Sequence, residues 1–222
     1  LNAIDLLKIR IEYENSLSSE DYNNLRNKIY WKYLSYNPNA IELLKNNPSM
    51  ISWDMLSLNT NAIDLLKHNQ HKIDWKMLSL NPNAIELLKE NKDKIKWEYL
   101  SKNPNAIDLL EEQIKYENNL SETEYNELKY PNKMNWIELS ANPNAIKLLK
   151  ENPTKINWSM LSRNHNAINL LKTNENMIDW DYLSLNKNAI NLLKENKNNI
   201  NWHLLCENTN AMPILKNNED KL

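Results

Sequence analysis

Eight tryptophans recur at a nearly fixed spacing along this 222-residue chain. Every gap between successive tryptophans except one is 22 residues, and the positions are Trp31, Trp53, Trp75, Trp97, Trp136, Trp158, Trp180 and Trp202. A fixed period in this range is typical of tandem repeats, whose units cannot bury their apolar faces alone and therefore stack on their neighbours. The spacing predicts an array held together by packing between successive repeats.

The first half of each repeat predicts a helix. Ala40 and Leu44 share one helical face, and the same apolar spacing recurs in the other repeats, which are too rich in Ala and Leu for a strand. We expect this helix to begin at Asn37 as N-cap, with Pro38 at the first helical position. A capping-box spacing places an alternative start two residues later, at Asn39.

Asparagine recurs where this first helix should end. The chain contains no glycine, so we expect asparagine to take the left-handed conformation at the helix end. The positions are Asn47, Asn69, Asn91, Asn152, Asn174 and Asn196.

The second half of each repeat predicts a helix of about seven residues, which is too short to be stable without packing. N-cap residues stand directly before six of the eight tryptophans. They are Ser52, Asp74, Asn135, Asn157, Asp179 and Asn201. We therefore predict an all-α fold, an α-solenoid of tandem 22-residue two-helix repeats, two of which are expanded.

A longer period overlies the shorter one. Residues 2–25 align with residues 105–128, with 15 of 24 positions identical, and the identities include Tyr13/Tyr116, Glu14/Glu117, Asn15/Asn118 and Tyr22/Tyr125. We interpret residues 1–222 as a single helical array with an internal duplication, 1–103 and 104–222, each half holding one expanded and three short repeats. Ser18 with Asp21, and Ser121 with Glu124, predict an extra capped helix in each expanded repeat.

Composition excludes several classes of protein. The net charge is −2 and the charges are mixed, so neither a polybasic face nor an acidic tail is present. No apolar run is long enough to cross a bilayer and no signal-peptide pattern is seen, so we expect no membrane contact. The absence of glycine excludes phosphate-binding glycine-rich loops.

No catalytic or metal-binding constellation emerges from the remaining residues. His68 and His71 lack a third ligand nearby and are interpreted as surface residues. Cys206 stands where other repeats have Ser, which indicates a small buried residue rather than a nucleophile. Neighbouring carboxylates such as Glu111 and Glu112 are expected to be solvated. We therefore expect no enzymatic activity, no cofactor and no metal.

Two interpretations of the tryptophans stay open. They could be the structural core, or an aromatic ladder on which bases or sugars stack. Their regular spacing beside Ile and Leu favours the core. The recurrent Ser and Asn ahead of each proline, such as Ser57 and Asn59, are expected to form hydrogen bonds between layers rather than to recognise a ligand.

Two further rows of residues could bind a partner. The third position of the Trp helix gives a row of adaptable apolar residues, which either contact a partner protein or complete the core between layers. The row is Tyr33, Met55, Met77, Tyr99, Met160 and Tyr182. Lysines in register would give a stripe that neutralises phosphates. The stripe is Lys45, Lys67, Lys89, Lys150, Lys172 and Lys194.

The motif Asn-Pro-Asn-Ala-Ile-x-Leu-Leu, as in residues 37–44, followed by Ile-x-Trp-x-x-Leu-Ser, as in residues 51–57, resembles tandem repeats in uncharacterised proteins of giant DNA viruses of the mimivirus kind. The resemblance covers nearly the whole chain, apart from the two expanded repeats. It implies a viral protein located in the host cytoplasm or the virion, and it carries over no catalytic residues.

We therefore expect a non-enzymatic helical repeat scaffold that mediates protein–protein interaction or is a structural component of a virion. The alternative is a nucleic-acid-binding array that uses the lysine stripe, and nucleic acid is the less favoured partner. Self-association through uncapped ends of the array is a further hypothesis. The identity of the protein partner does not follow from the sequence.

Overall fold

The computed structural model of the chain describes residues 2–128 and 132–218. These residues form helices, turns and connecting segments, with no strand among them. The predicted all-α fold is confirmed, and the chain is an α-solenoid of tandem repeats. Contacts divide it into two units, Leu1–Ile95 and Lys96–Leu222, which are described separately.

The first unit begins with an expanded repeat and continues with short ones. Its α-helices are α1 (Ala3–Ser16), α2 (Ser19–Asn24), α3 (Trp31–Tyr36), α4 (Ile41–Asn46), α5 (Trp53–Leu58), α6 (Ile63–Lys67), α7 (Trp75–Leu80) and α8 (Ile85–Lys89). The Trp helices of successive repeats pack side by side, α3 on α5 and α5 on α7.

The second unit repeats this plan with its own expanded repeat. Its α-helices are α9 (Trp97–Leu100), α10 (Ile107–Asn118), α11 (Glu122–Glu127), α12 (Trp136–Ala141), α13 (Ile146–Glu151), α14 (Trp158–Arg163), α15 (Ile168–Lys172), α16 (Trp180–Ser184), α17 (Ile190–Glu195), α18 (Trp202–Leu205) and α19 (Met212–Leu215). Again the Trp helices stack in order, α12 on α14, α14 on α16 and α16 on α18.

Short 3-10 helices, which the sequence did not predict, connect the two helices of most repeats. One also precedes α4, at Pro38–Ala40. The connecting ones are Pro48–Met50, Gln70–Lys72, Lys92–Lys94, Pro153–Lys155, Glu175–Met177 and Lys197–Asn199. A 3-10 turn is a compact way to join two antiparallel helices, and it places its last side chain near the preceding repeat's tryptophan.

The predicted cap at Asn37 is confirmed, but it caps a 3-10 helix and not the α-helix. Asn37 is the N-cap of Pro38–Ala40 and accepts a hydrogen bond from the Asn39 N–H at 3.0 Å, with Pro38 in the first turn as predicted. The α-helix itself begins at Ile41 and at its equivalents, with Ala40 in the N-cap position and no side-chain cap. A capping box of the kind predicted for the alternative start is present at the beginning of α1, between Asn2 and Asp5.

The predicted helix ends are in the right place, but the predicted backbone conformation is wrong. Asn47 has φ −132°, well outside the left-handed region, and the other five helix-end asparagines are similar. Asn47 donates from its side-chain Nδ2 to the Leu43 carbonyl at 2.9 Å, so the amide replaces the backbone N–H that the helix end lacks. Among the described residues a positive φ occurs at Asn27 alone, at 59°.

The predicted start of the Trp helix is confirmed. Asp74, for example, accepts hydrogen bonds from the N–H groups of Lys76 and Met77, at 3.0 and 3.1 Å, as an N-cap should. Asn135, Asn157, Asp179 and Asn201 also cap their helices through side-chain oxygens. Ser52 occupies the same position but donates its hydroxyl to Asp54 instead.

The fully buried core is built from smaller residues than tryptophan. Each short repeat contributes an alanine, the second leucine of the Leu-Leu pair and the leucine three residues after the tryptophan, such as Ala167, Leu171 and Leu161, all at 0% exposure. The eight tryptophans of the predicted structural core are all half-buried. Alanine and leucine side chains are small enough to be enclosed completely within a layer one helix thick. The larger indole extends to the surface of the layer and stays partly exposed to solvent.

Successive layers are joined by a ladder of buried asparagines. Asn164 donates through Nδ2 to the carbonyls of Ser140 and Asn142 in the previous repeat, each at 3.0 Å. Its Oδ1 accepts from the Asn166 N–H at 3.0 Å. The same pattern is present at Asn59 and Asn81 in the first unit and at Asn142, Asn186 and Asn208 in the second.

Serine completes the link between layers. Ser162 donates its hydroxyl to the Trp158 carbonyl at 2.8 Å and accepts from the N–H of Asp179 in the next repeat at 3.0 Å. No buried side-chain nitrogen or oxygen in the described residues lacks a hydrogen-bond partner. The predicted Ser and Asn bonding between layers is confirmed, and it leaves the interior of each unit without free polar side chains to hold a ligand.

Candidate functional site

The two expanded repeats each open a pocket beside the regular stack. In the first unit α1 runs to Ser16, and Ser18 then caps α2 by accepting from the Asp21 N–H at 3.1 Å. In the second unit α10 runs to Asn118, and Ser121 and Glu124 form the predicted capping box at the start of α11. The extra helix is thereby held beside the end of the long one, with a cavity between them and the next Trp helix.

A buried glutamate forms the floor of each pocket. The Glu14 side chain is 4% exposed, and its Oε1 accepts from the Ile29 N–H at 2.9 Å and from Arg10 Nε at 2.8 Å. These two bonds fasten the returning chain to the long helix. Arg10 also donates from Nη2 to the carbonyl of Asn27 at 3.1 Å, at the point where the backbone is left-handed.

In the second pocket a buried glutamate again bonds the returning chain, but one of its hydrogen-bond donors is a different residue. Glu117 is 6% exposed, and its Oε1 accepts from the Met134 N–H at 2.8 Å. Its side-chain neighbour is Gln113, whose Nε2 donates at 3.0 Å, in the place that Arg10 holds in the first pocket. The first carboxylate is therefore paired with a cation, whereas the second is held by neutral donors.

The pockets have equivalent walls but different sizes. The first has a volume of about 520 Å³ and is lined by Ile11, Glu14, Asn15, Leu17, Ser19, Tyr22, Asn23, Trp31 and Met50. The second has about 290 Å³ and is lined by Glu117, Asn118, Leu120, Glu122, Tyr125, Trp136 and Lys155. Each thus combines a half-buried tyrosine and tryptophan with a buried carboxylate, which is the usual mix of apolar walls and a few polar groups in a binding site.

Lysine ammonium groups lie over the tyrosine in each pocket. Lys28 Nζ is 4.7 Å from the Tyr22 ring centroid. Tyr125 carries two such contacts, with Lys133 Nζ at 4.4 Å and Lys155 Nζ at 5.6 Å. Lys28 and Lys133 precede Trp31 and Trp136 by the same three residues, so they are equivalent, and the additional cation of the second pocket is Lys155.

The predicted partner-binding row is less exposed than a docking surface would be. Tyr33 is 69% exposed and its ring lies 4.9 Å from that of Tyr30. The other members are half-buried, Met55 and Met77 in the first unit and Tyr99, Met160 and Tyr182 in the second. They pack partly between layers, and their binding of a partner stays a prediction.

The six predicted stripe lysines are all exposed. In the first unit Lys45 pairs with Glu42 at 2.7 Å and Lys89 with Glu86 at 2.9 Å. In the second unit Lys150, Lys172 and Lys194 form no ion pair with any described residue. The difference follows from the position three residues earlier, where the second unit has Lys147, Asn169 and Asn191 instead of an acid.

The other chemically suggestive residues do not converge on a site. His68 and His71 are both exposed, and no group of three metal-binding side chains occurs in the described parts of the chain. Glu111 pairs with Lys115 at 2.9 Å, and the hydrogen bond from Lys115 lowers the pKa of that carboxyl. The prediction of a buried Cys206 was wrong, because its thiol is exposed while donating to the Trp202 carbonyl at 3.3 Å.

The sequence already contained a signal for the pocket residues. Glu14/Glu117 and Tyr22/Tyr125 are identical between the two expanded repeats, in segments where about a third of the positions differ. Their clustering could not be read from the sequence, because it depends on how the extra helix folds back.

Comparisons of the chain with protein-family models, with curated proteins and with solved structures returned no match. The resemblance to giant-virus repeats therefore stays a prediction based on the two repeated motifs. Among the described residues, no helix combines the length and the apolar character needed to cross a membrane.

Proposed function

We propose that this protein is a non-enzymatic α-solenoid scaffold that binds a partner protein at its two expanded repeats. The observation that carries the proposal is the pair of equivalent pockets, each built around a buried glutamate with a tyrosine and a tryptophan beside it. Elsewhere the repeats satisfy their buried polar side chains internally, and the Ser and Asn ladder uses the groups that could otherwise take a ligand.

The chemistry of the pockets supports binding rather than catalysis. Aromatic side chains with one polar handle contribute disproportionately to protein interfaces. Catalysis by the glutamates would need a nucleophile or a second acid–base group within hydrogen-bonding reach. Among the described residues, the hydrogen-bond partners of Glu14 and Glu117 are structural donors.

The resemblance to giant-virus repeats supports a proposal for where the protein acts. We infer a viral protein that acts in the host cytoplasm or as a component of the virion. Mass spectrometry of purified virus particles tests the second location directly.

Affinity capture from infected cells with the intact tagged chain tests the proposed function. The variant Tyr22→Ala/Tyr125→Ala removes one aromatic wall from each pocket, and Tyr116→Ala is the matched control, because Tyr116 is 52% exposed and lines neither pocket. We expect a protein that is retained by the wild-type chain and the control and lost with the double variant. A set of captured proteins that is identical for all three chains would overturn the proposal.

A nucleic-acid-binding array is the second candidate, favoured by the three unpaired lysines of the second unit. If Lys150, Lys172 and Lys194 neutralise phosphates, binding to single-stranded RNA should weaken steeply with salt. Replacing all three by Gln should make the slope of log K against log salt concentration less steep. The change should correspond to the loss of about 2–3 phosphate contacts. The control is Lys45→Gln/Lys89→Gln, in which the lysines removed are already paired. Binding that ignores salt would exclude this candidate.

A further inference from the structure

The two pockets differ at one wall position in a way that indicates what the first pocket binds. Lys155 is the last residue of a 3-10 helix and lines the second pocket, and Met50 is the last residue of the equivalent 3-10 helix and lines the first. They follow Trp136 and Trp31 by the same 19 residues. The second pocket thus contains a lysine of its own chain where the first has an uncharged thioether.

The tyrosine rings show the consequence of this difference. Among the described residues, Lys133 and Lys155 both place an ammonium group near the Tyr125 ring. Within the described residues Tyr22 has one, from Lys28. An aromatic face attracts a cation within about 6 Å of its centroid, so the first pocket has an aromatic acceptor for a second cation that the described residues do not supply.

The buried glutamate adds a charged acceptor. Among the described residues, both hydrogen bonds to Glu14 end on Oε1, and no donor bonds to Oε2. That oxygen is not sealed in the core, because every fully buried side-chain oxygen in the described residues has a partner. Since Glu14 lines the pocket, Oε2 is the carboxylate lone-pair site that a ligand entering the pocket reaches.

The size and charge of the first pocket fit a linear cation. Its volume of about 520 Å³ exceeds that of the second pocket, about 290 Å³, which Lys155 lines. Glu14 is the charged residue among the residues that line it, with Oε1 paired with Arg10, and Ile11, Leu17 and Met50 add apolar walls. A flexible alkyl chain ending in an ammonium group matches this combination of charge and apolar walls, because lysine buries its methylenes against apolar surface and solvates or pairs its terminus.

We propose that the first pocket is a receptor for the lysine side chain of a partner protein, with the ammonium group between Glu14 Oε2 and the Tyr22 ring and the methylenes against Met50 and Trp31. The proposal rests on the protein-binding function proposed above and specifies the partner group that this function recognises. In the second pocket the chain's own Lys155 takes the corresponding place beside Tyr125.

The test uses the full-length chain and a small probe, so that it does not depend on knowing the partner. The probe is Nα-acetyl-lysine N-methylamide, titrated at neutral pH while NMR follows the indole N–H signals of Trp31 and Trp136. Its uncharged counterpart is Nα-acetyl-norleucine N-methylamide, which has the aliphatic chain without the ammonium group. We expect saturable shifts at Trp31 with the lysine probe and at least about tenfold weaker binding of the norleucine probe.

Reciprocal exchange of the wall residue provides the matched variants. Met50→Lys introduces the residue found at the equivalent position of the second pocket and should abolish binding at Trp31. Lys155→Met should create binding at Trp136. Glu14→Gln keeps an oxygen to accept from the Ile29 N–H while removing the charge, and it should weaken binding about tenfold. Both exchanges use residues that the chain already carries at this position, so the fold is expected to be kept.

Equal binding of the two probes, or unchanged binding by Met50→Lys, would overturn the proposal. If the lysine probe binds but no protein is captured in a pocket-dependent way, the proposed scaffold function is wrong and the ammonium site is retained. If a protein is captured in a pocket-dependent way but the lysine probe is not preferred, the lysine receptor is wrong and the scaffold function is retained. The two proposals can therefore fail separately.

Discussion

At the scale of single residues, asparagine has two recurrent tasks, at the helix ends and between layers. In each short repeat one asparagine closes the end of the first helix, as Asn174 does by donating to the Leu170 carbonyl at 2.9 Å. Another, such as Asn164, is buried and bonds two carbonyls of the previous layer. The buried task needs a side chain that donates two hydrogen bonds and accepts one, which the asparagine amide can do and a hydroxyl, with its single donor hydrogen, cannot.

The buried ladder predicts a large cost for removing one of its members. Asn164→Ala deletes two donors to buried carbonyls and the acceptor for the Asn166 N–H, and an alanine leaves those groups unsatisfied. We expect the free energy of unfolding to fall by about 2–4 kcal/mol. Urea denaturation measures it. The control Asn169→Ala changes an exposed asparagine of the same repeat and should stay within about 0.5 kcal/mol. Equal losses for both variants would argue against the ladder as a source of stability.

The residue scale also shows what the sequence could predict. The N-cap role of Asp74 and its equivalents follows from residue type and position, and it is confirmed. Asn37 is the predicted cap, but it caps a 3-10 turn over Pro38, and the α-helix begins only at Ile41. Local propensity does not decide between a 3-10 and an α first turn. The tryptophans were placed correctly in the repeat, but their half-burial depends on the thickness of the layer, which is a tertiary property.

At the scale of elements, the expanded repeats depend on how their extra helices are capped. Ser121 and Glu124 form a reciprocal capping box at the start of α11, with Glu124 Oε2 accepting from the Ser121 N–H at 2.8 Å and from its hydroxyl at 2.6 Å. These bonds, the hydroxyl first, lower the pKa of Glu124 below its ordinary 4.5. The spacing of the two residues predicted this helix, whereas nothing in the spacing showed that it would cover a pocket with Glu117 at its floor.

The sign of this pKa shift gives a testable pH dependence. Because the folded pKa of Glu124 is the lower one, the cap favours α11 at neutral pH, and this contribution is lost as the pH falls from about 4.5 through the folded pKa. Carboxyl-carbon NMR titration should find the Glu124 pKa below 4.5 in the wild type and closer to 4.5 in Ser121→Ala. Glu111 is the control group, because Lys115 lowers its pKa and Ser121→Ala should leave that pKa unchanged. An identical Glu124 pKa in both chains would contradict the capping geometry.

At the scale of the whole molecule, each unit is a stack in which repeats contact their neighbours in sequence. In the second unit α14 packs on α12 and α16, and α16 packs on α18. The hydrogen bonds of the ladder likewise link adjacent layers. Stability in such an array is a sum of nearest-neighbour contributions, so the effect of a defect should decay with distance along the stack. The period of the tryptophans predicted this architecture, because any unit so short must share its core with the next.

Leu161→Ala in α14 tests that decay, because Leu161 is at 0% exposure and its loss leaves a cavity between layers. The variant should lose about 2–5 kcal/mol of stability. Hydrogen exchange should show the largest loss of protection in α12, α14 and α16, and a smaller loss in α18, because α18 contacts the damaged helix only through α16. Ile137→Ala is the control, since Ile137 is 51% exposed in the same unit and its truncation opens no cavity. A uniform loss from α12 through α18 would mean instead that the second unit opens as one cooperative block, in which case the layers are coupled more strongly than neighbour contacts alone provide.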